Sequence, residues 1–304
     1  MKRILVIRGG AIGDFVLTLP AIKLLRDNFS RARLEVLGYP NIIALAEKRY
    51  YADAICSIES AMLARFFVRD ADLPSEWVVH FGTFDLIVSY LFDPDGIFEN
   101  NVKRCGSMNF VAGPAKLGNQ EHAACQLARP LERLGLFLQD PAARIYPSGA
   151  DRKFARGHLS EVINRIVVLH PGSGSETKSW PIEKWEKLGE HLVATNCKVI
   201  VVSGEAEEGR IRLLKAAWKE KPIQFAESLP LPQLAALVES ATFIGHDSGI
   251  SHIAAAVGAR CILLFGPTDP RVWAPANENV SVIRAPNGNL DLLAVNEVIS
   301  AITR

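Results

Sequence analysis

Short continuous apolar runs recur along the chain, and each is followed by polar or glycine-rich residues and then by helical sequence. Such runs are typical of parallel strands that are buried on both faces of a sheet. They are Ile4–Ile7, Leu34–Leu37, Ala54–Ser57 and Leu86–Ser89 in the first half, and Ile166–Leu169, Lys198–Val202, Thr242–Ile244 and Cys261–Phe265 in the second. The pattern predicts an α/β fold with two Rossmann-like domains that face each other across a cleft.

The periodic pattern is interrupted near the middle of the chain by Gly135 and by Asp140-Pro141. We therefore expect an N-terminal domain over residues 1–150 and a C-terminal domain over residues 151–304. The final helix, predicted from about residue 289 to residue 302, has two places to pack. It can lie on its own domain, or it can cross back to the N-terminal domain.

Composition places the chain among ordinary globular proteins. It has 304 residues, of which 22% are charged, and a formal net charge of +1. This balance argues against a nucleic-acid-binding protein, which would carry a strong positive footprint. The five cysteines are scattered without C-x-x-C spacing, which favours free thiols in a reducing compartment. No apolar run reaches about 18 residues and no signal region precedes the first strand, so the sequence predicts a cytoplasmic protein without a membrane span.

The stretch from Thr242 to Gly266 carries the most specific pattern, because it reads as strand, turn, helix and strand. That order describes one parallel crossover unit. Its turn contains Asp247, Ser248 and Gly249. Asp and Ser are favoured N-cap residues, and glycine lets a ligand approach the free N–H groups of the first helical turn. The geometry favours a phosphate, and His252 lies one turn further along. The alternative is a capped helix without a ligand.

A glycine-rich turn, Gly9 to Gly13, follows the first strand and precedes Asp14. It fails the dinucleotide pattern G-x-G-x-x-G, because Arg8 stands where the first glycine would be. Asp14 is a candidate general base that would remove a proton from an alcohol, and the alternative is a helix N-cap. Pro20 should kink or break the helix that follows, predicted from Phe15 to Asn28.

The loop His170–Ser179 nearly matches a nucleotide P-loop, but Thr177 replaces the glycine before Lys178. A phosphate cradle of that kind is therefore not expected. Ser173, Ser175 and Lys178 can still donate hydrogen bonds and a positive charge to a diphosphate. A mobile surface loop is the alternative.

Three further groups have two interpretations each. Glu205 or Glu207 follows a strand and either holds ribose hydroxyls or belongs to a solvated acidic turn. Asp93, in Asp93-Pro94-Asp95, either meets an acceptor or forms a plain turn. An aromatic and basic stripe either contacts a membrane surface or packs on a core; it consists of Met62, Leu63, Arg65, Phe66, Phe67 and Arg69. The histidines and carboxylates show no metal-ligand spacing along the chain, so we expect no structural metal and no cofactor.

Three segments together resemble glycosyltransferase family 9, the ADP-heptose:lipopolysaccharide heptosyltransferases, and they span nearly the whole chain. They are Arg8–Asp14 with Leu19-Pro20, His170–Gly174 with Lys178–Pro181, and Gly245–His252. The resemblance implies a GT-B fold and a metal-independent, inverting sugar transfer, with a nucleotide-sugar donor held mainly by the C-terminal domain. By position, Asp14 matches the family's proposed base and Lys178 its diphosphate-binding lysine. The family's diphosphate turn, in which threonine is common at the position of Ser248, is matched by Asp247, Ser248, Gly249 and His252.

The resemblance therefore implies a transferase that moves a heptose from ADP-heptose to a lipopolysaccharide-core or related lipid-linked glycan. It would act in the cytoplasm and in peripheral contact with the inner membrane. Two other classes stay open. A nucleotide-sugar epimerase of similar fold would isomerise the donor when the donor is incubated alone. A non-catalytic nucleotide- or glycan-binding protein would tolerate the loss of Asp14, which a transferase would not.

Overall fold

The computed structural model describes residues 1–107, 109–158 and 165–303. The chain divides into two compact units, Met1–Pro141 and Ala142–Arg304. Each unit contains a parallel sheet with helices, so the predicted α/β class with two Rossmann-like units is confirmed.

Strands and helices alternate in the N-terminal unit. In chain order they are β1 Arg3–Arg8, α1 Ile12–Asn28, β2 Arg33–Gly38, α2 Pro40–Ile43, β3 Ala54–Ser57, α3 Ser75–Gly82, β4 Leu86–Ser89, α4 Ile97–Arg104, β5 Phe110–Ala112 and α5 Ala123–Ala128. Across the sheet the strands lie in the order β3-β2-β1-β4-β5, and these neighbours pair in parallel. Strand β1 lies at the centre and is buried from Ile4 to Ile7, which explains its continuous apolar run.

The C-terminal unit repeats this arrangement. Its elements are α6 Gly149–His158, β6 Ile166–Leu169, α7 Ile182–Ala194, β7 Lys198–Ser203, α8 Glu208–Ala217, β8 Ile223–Glu227, α9 Leu231–Val238, β9 Thr242–His246, α10 Gly249–Ala256, β10 Arg260–Phe265, α11 Pro270–Trp273, β11 Val280–Arg284 and α12 Val295–Thr303. The strands lie in the order β11-β10-β9-β6-β7-β8, again parallel.

Each sheet has a point where the chain changes the side on which it adds strands. In the N-terminal unit β2 and β4 flank β1, and in the C-terminal unit β7 and β9 flank β6. Ligands of open parallel sheets bind outside the carboxyl ends of the strands at such a point. The order of strands therefore brings together the segments after β6 and β9, which carry Lys178 and Asp247.

Three strands have no counterpart among the predicted apolar runs, namely β5, β8 and β11. All three lie at a sheet edge, where one side of the strand has no neighbour. Strand β5 has only three residues, and β11 has no fully buried position. The pattern of continuously buried strands therefore does not detect these three strands, although it detects β3 at the remaining sheet edge.

Helix α1 begins at Ile12 and continues through Pro20 to Asn28, so the predicted break at Pro20 does not occur. A proline inside a helix costs about 3 kcal/mol. Every side chain from Phe15 to Ile22 is buried, and burial of one large apolar side chain contributes about 1.5–3 kcal/mol. Packing of this segment outweighs the lost hydrogen bond.

The boundary between the units lies after Pro141, nine residues before the position expected from the sequence. Residues 142–150 belong to the C-terminal unit, and the N–H of Ile145 donates to the carbonyl of Ala256 at 2.9 Å. Helix α12 also packs on its own unit, because Val298 and Ile302 are buried in the core cluster that contains Trp185.

Two expectations from composition concern cysteines and membranes. All five cysteines are free thiols, as their spacing suggested; Cys261 is buried and the others are half-buried. Within the described ranges, no helix combines the length and the apolar character that a membrane crossing requires.

Candidate active site

The turn between β9 and α10 consists of Asp247 and Ser248, because β9 extends two residues, Gly245 and His246, beyond the predicted strand. Ser248 is the N-cap of α10, and its Oγ accepts the N–H of Ser251 at 3.3 Å. The N–H groups of Gly249 and Ile250 have no acceptor within the part of the chain that the structure describes. They are two of the donors that a helix N-terminus offers to an anion.

Asp247 is the residue that joins this turn to its neighbours. Its Oδ2 accepts a hydrogen bond from Lys178 Nζ at 2.9 Å and another from Thr268 Oγ1 at 2.8 Å. A carboxylate has no proton to donate to a diphosphate, so Asp247 acts here by holding Lys178 and Thr268 beside the helix end. The sequence pointed to Asp247 as a diphosphate contact and gave no signal for Thr268, which follows β10.

The loop that carries Lys178 is organised by its own side chains. Ser173 Oγ donates to the carbonyl of Ser175 at 2.6 Å and lies 3.0 Å from Ser179 Oγ. The hydroxyls of Ser175 and Thr177 are 2.9 Å apart. These contacts give the two serines that the sequence assigned to a diphosphate hydrogen-bond partners within their own loop.

Arg210, on α8, holds both ends of this loop, and sequence reasoning missed it. Its Nε donates to the carbonyl of Pro171 at 3.1 Å, and its Nη2 donates to the carbonyl of Trp180. Its Nη1 contacts the Glu176 carboxylate at 3.2 Å. One guanidinium therefore fixes the start, the middle and the end of the segment, a geometry that the planar fork of arginine allows.

His246 makes the second link to this loop. Its Nε2 accepts the N–H of Trp180 at 2.8 Å, which leaves Nδ1 to carry the proton and donate to the carbonyl of Gly172 at 3.0 Å. Burial lowers the pKa of His246 to about 3, and burial also lowers the pKa of His170 to about 4. Both imidazoles are neutral at physiological pH, and Lys178 is the cation next to the turn.

The other predicted members of the C-terminal site lie close to this framework but differ in exposure. His252 is buried in the second turn of α10. Glu207 is buried, and its Oε2 accepts the N–H of Gly204 at 2.8 Å. A Cβ atom on Gly172 would lie 2.0 Å from Glu207 Cγ, so this side chain packs on the loop backbone. Glu205 is exposed.

In the N-terminal unit, Gly13 and Asp14 lie in the first turn of α1 instead of before the helix. Asp14 Oδ2 accepts the N–H of Ala11 at 2.9 Å, and Oδ1 lies 3.2 Å from Arg8 Nη2. The Arg8 guanidinium is buried and lies 5.7 Å from the centre of the Tyr90 ring. Asp14 nevertheless keeps 39% of its side chain exposed. It is thus a helix-capping residue and an accessible carboxylate at the carboxyl end of β1.

Asp93 accepts hydrogen bonds from the backbone at the start of a helix. Its two carboxylate oxygens accept the N–H groups of Phe98 at 3.1 Å and Glu99 at 2.9 Å, at the start of α4. Asp95 is exposed. The contacts of Asp93 agree with the plain turn that was the alternative, and contact with an acceptor stays a prediction.

The aromatic and basic stripe divides between core and surface. Leu63 and Phe66 are buried in the N-terminal core. Met62 and Phe67 are exposed by 54% and 42% of their surface. The interpretation of core packing is therefore confirmed for Leu63 and Phe66, and contact with a membrane surface stays a prediction for the exposed part.

Comparison with known proteins indicates the same family as the sequence motifs do. The family model described as glycosyltransferase family 9 (heptosyltransferase) matches residues 122–297, more than half of the chain. The matched span includes Lys178 and the diphosphate turn, and it does not reach Asp14. The chain is also 26% identical over 298 residues to lipopolysaccharide heptosyltransferase 3 of Escherichia coli (strain K12), covering 90% of this chain and 86% of that protein.

Solved structures share the fold over almost the full length. The glycosyltransferase family 9 protein from Veillonella parvula DSM 2008 superposes with a TM-score of 0.82 at 18% identity, covering 99% of this chain and 96% of that one. E. coli heptosyltransferase WaaC with ADP gives a TM-score of 0.74 at 18% identity, covering 99% of both chains. At 18% identity, a structural similarity of this kind is evidence for the fold alone. It confirms the GT-B architecture.

The two neutral histidines predict a pH dependence of stability. The folded pKa of His246, about 3, lies below the ordinary value of 6.5, so the unfolded chain takes up the proton first. The contribution of neutral His246 to the free energy of unfolding is therefore fully present above about pH 6.5, and it is lost as the pH falls toward about 3. His246→Gln keeps a donor and an acceptor but does not titrate. Between pH 7 and pH 5 its free energy of unfolding should fall by about 2 kcal/mol less than that of the wild type.

Urea unfolding followed by tryptophan fluorescence measures this difference, because Trp180 and Trp185 lie next to His246. His191→Gln on α7 is the matched control for the substitution itself. An identical loss of stability on acidification in the wild type and in His246→Gln would contradict the neutral, buried assignment.

Proposed function

The chain belongs to glycosyltransferase family 9, and from this membership we propose that it transfers a heptose from ADP-heptose to a lipopolysaccharide-type acceptor, with inversion and without a metal ion. That it is a glycosyltransferase follows from the family. The donor and the acceptor are proposals supported by the names of its relatives, which include a lipopolysaccharide heptosyltransferase and a heptosyltransferase solved with ADP. The single observation that carries the proposal is the Lys178–Asp247 pair at the free N-terminus of α10.

The first task of the site is to stabilise a departing diphosphate. Two free N–H groups at Gly249 and Ile250, the helix dipole and the Lys178 ammonium all favour negative charge at one place. These groups are fixed before the reaction, since Arg210 and His246 hold the lysine loop. Preorganised donors of this kind stabilise charge as it develops, and they supply here what a divalent cation supplies in other transferases.

The second task is to activate the acceptor hydroxyl, which we assign to Asp14. The hydroxyl oxygen attacks the anomeric carbon, and the bond from that carbon to the β-phosphate oxygen breaks. The electron pair leaves with ADP, and the hydroxyl proton passes to the Asp14 carboxylate. A single displacement inverts the configuration at the anomeric carbon. Arg8 pairs with this carboxylate and holds its position while the exposed part faces the acceptor.

The third element is the surface that would meet a lipid-linked acceptor. We place the enzyme in the cytoplasm and in peripheral contact with the inner membrane. Met62 and Phe67 are exposed apolar side chains, and the neighbouring Arg65 and Arg69 are exposed and cationic. Apolar side chains next to basic ones suit an anionic lipid surface. An epimerase or a non-catalytic binding protein, both open from the sequence, gains no specific support from the site.

Asp14→Asn should keep the fold and the affinity for ADP, because an amide oxygen can still accept the Ala11 N–H. It should lower turnover by roughly 10²- to 10⁴-fold, the usual contribution of a general base. Asp85→Asn is the matched control: that carboxylate likewise accepts backbone N–H groups in the same unit, those of Lys2 and Arg3, but at the amino end of β4. Steady-state transfer of labelled heptose measures both variants. Turnover close to that of the wild type in Asp14→Asn would contradict the assignment of Asp14 as the general base.

ADP should stabilise the protein far more than AMP, because the β-phosphate is the group expected at the N–H groups of α10. One charge-assisted hydrogen bond contributes about 1.5–3 kcal/mol, so losing one or two should weaken binding roughly ten- to a thousand-fold. Gly249→Val should erase most of the ADP advantage by filling the space of the phosphate. Lys178→Ala should reduce it and make the remainder less sensitive to salt.

The shift in melting temperature at matched ligand concentrations measures these differences, after circular dichroism shows that each variant is folded. Lys187→Ala, an exposed lysine on α7, is the control for the change in charge. Equal shifts with AMP and ADP in the wild type would mean that the turn is only a capped helix.

Turnover should survive a strong chelator, because the groups assigned to the diphosphate are N–H donors and a lysine. The comparison is the rate of transfer before and after treatment with excess EDTA. Loss of turnover that magnesium or manganese restores would contradict metal independence and would direct attention to Asp93 and Asp95.

A further inference from the structure

A cluster of three potential metal ligands lies in the N-terminal unit, apart from the residues assigned to the reaction. Glu35 is on β2, Cys56 on β3 and His80 on α3. One carboxylate oxygen, the Sγ atom and one imidazole nitrogen all lie within 4.8 Å of one another. Twenty or more residues separate each ligand from the next along the chain, which is why no ligand spacing is visible in the sequence.

The geometry of this cluster is unusual for an ion pair. His80 Nε2 lies 3.3 Å from Glu35 Oε1. Yet Nε2 is a buried atom without a hydrogen-bond partner among the described residues, and so is Arg3 Nε beside it. His80 Nε2 and Glu35 Oε1 are therefore close to each other but not aligned for a hydrogen bond. Glu35 itself is only 6% exposed, and a buried carboxylate requires compensation.

The same separation fits a shared cation. Two ligand atoms that are each about 2.0–2.1 Å from a tetrahedral zinc ion lie about 3.3–3.4 Å apart. Cys56 Sγ would have to move inward by roughly 1 Å to complete three ligands, given a zinc–sulfur bond of about 2.3 Å. A cavity of about 320 Å³ adjoins the cluster and is lined by Arg3, Cys56, Trp77 and His80 among others. It leaves room for water at a fourth position.

The chemical types of the three ligand atoms favour one class of metal ion over another. Thiolate and imidazole favour borderline-soft cations such as zinc, while magnesium and calcium prefer oxygen ligands. The Arg3 guanidinium opposes a cation, but its Nη2 lies 3.8 Å from Oε2, the other oxygen of Glu35. Oε1 therefore remains available to a metal ion.

We propose that Glu35, Cys56 and His80 bind one zinc ion, with water as the fourth ligand. Cys56 binds as the thiolate and releases its proton to solvent. The ion would tie β2, β3 and α3 together, because each ligand comes from a different element. Since a ligand that binds only the folded state raises stability, zinc should raise the melting temperature of the protein.

Cobalt titration of the full-length protein, stripped of metals beforehand, tests the proposal. A cobalt–thiolate bond gives a charge-transfer absorption band in the near ultraviolet, and zinc should then displace it with one equivalent per chain. Cys56→Ala should lack the band, and His80→Ala should bind cobalt at least about ten-fold more weakly. Cys105→Ala should keep it. Cys105 is the matched control, because it is half-buried and packs on the same core cluster as Cys56.

A second measurement needs no variant and so does not depend on how the substitutions fold. Zinc should slow the alkylation of Cys56 by iodoacetamide in the wild-type protein and leave Cys105 unaffected, as followed by peptide mass spectrometry. Absence of the cobalt band at stoichiometric metal, its persistence in Cys56→Ala, or equal alkylation rates with and without zinc would each overturn the proposal. The cluster would then be the Arg3–Glu35 ion pair with Cys56 and His80 beside it and no metal site.

Discussion

The buried imidazole of His246 fixes the geometry on which the C-terminal site depends. It joins the end of β9 to two points of the lysine loop, the carbonyl of Gly172 and the N–H of Trp180. The ring can do this because burial keeps it neutral, with one donor and one acceptor nitrogen. Without this link and the Arg210 contacts, Lys178 would be a flexible side chain on a polar loop. With them, its ammonium is placed beside the N-terminus of α10.

Both candidate reacting regions use a carboxylate in a similar way. Asp247 accepts hydrogen bonds from Lys178 and Thr268, and Asp14 accepts one from the N–H of Ala11 and pairs with Arg8. Only at Asp14 does an orienting contact belong to a helix end, because Ala11 is the N-cap of α1. Asp247 does not cap α10, whose N-cap is Ser248. The two carboxylates also differ in exposure, since Asp247 is mostly covered by its partners and Asp14 keeps 39% of its side chain exposed.

The acids that do not fit this scheme show how similar residues receive different roles. Glu207 accepts a hydrogen bond from the backbone of its own turn and packs against Gly172. Asp93 caps α4. Glu35 is buried in a strand, where neither a cap nor solvent compensates its charge. A buried carboxylate requires a cation to compensate its charge. The Arg3 side chain is one such cation, and the proposed metal ion shared with Cys56 and His80 would be a second.

The sequence by itself determined the class of fold, the two units and the location of the turn between β9 and α10. Continuous apolar runs indicate buried parallel strands, and Asp247 and Ser248 stand between a strand and a helix, where local chemistry decides the geometry. The edge strands β5, β8 and β11, the path of α1 through Pro20 and the packing of α12 were decided only by tertiary structure. The same holds for the roles of Arg210 and Thr268 and for the meeting of Cys56 with His80. Contacts between residues far apart in the chain depend on the order of strands in the sheet, and a local pattern of polar and apolar positions does not encode that order.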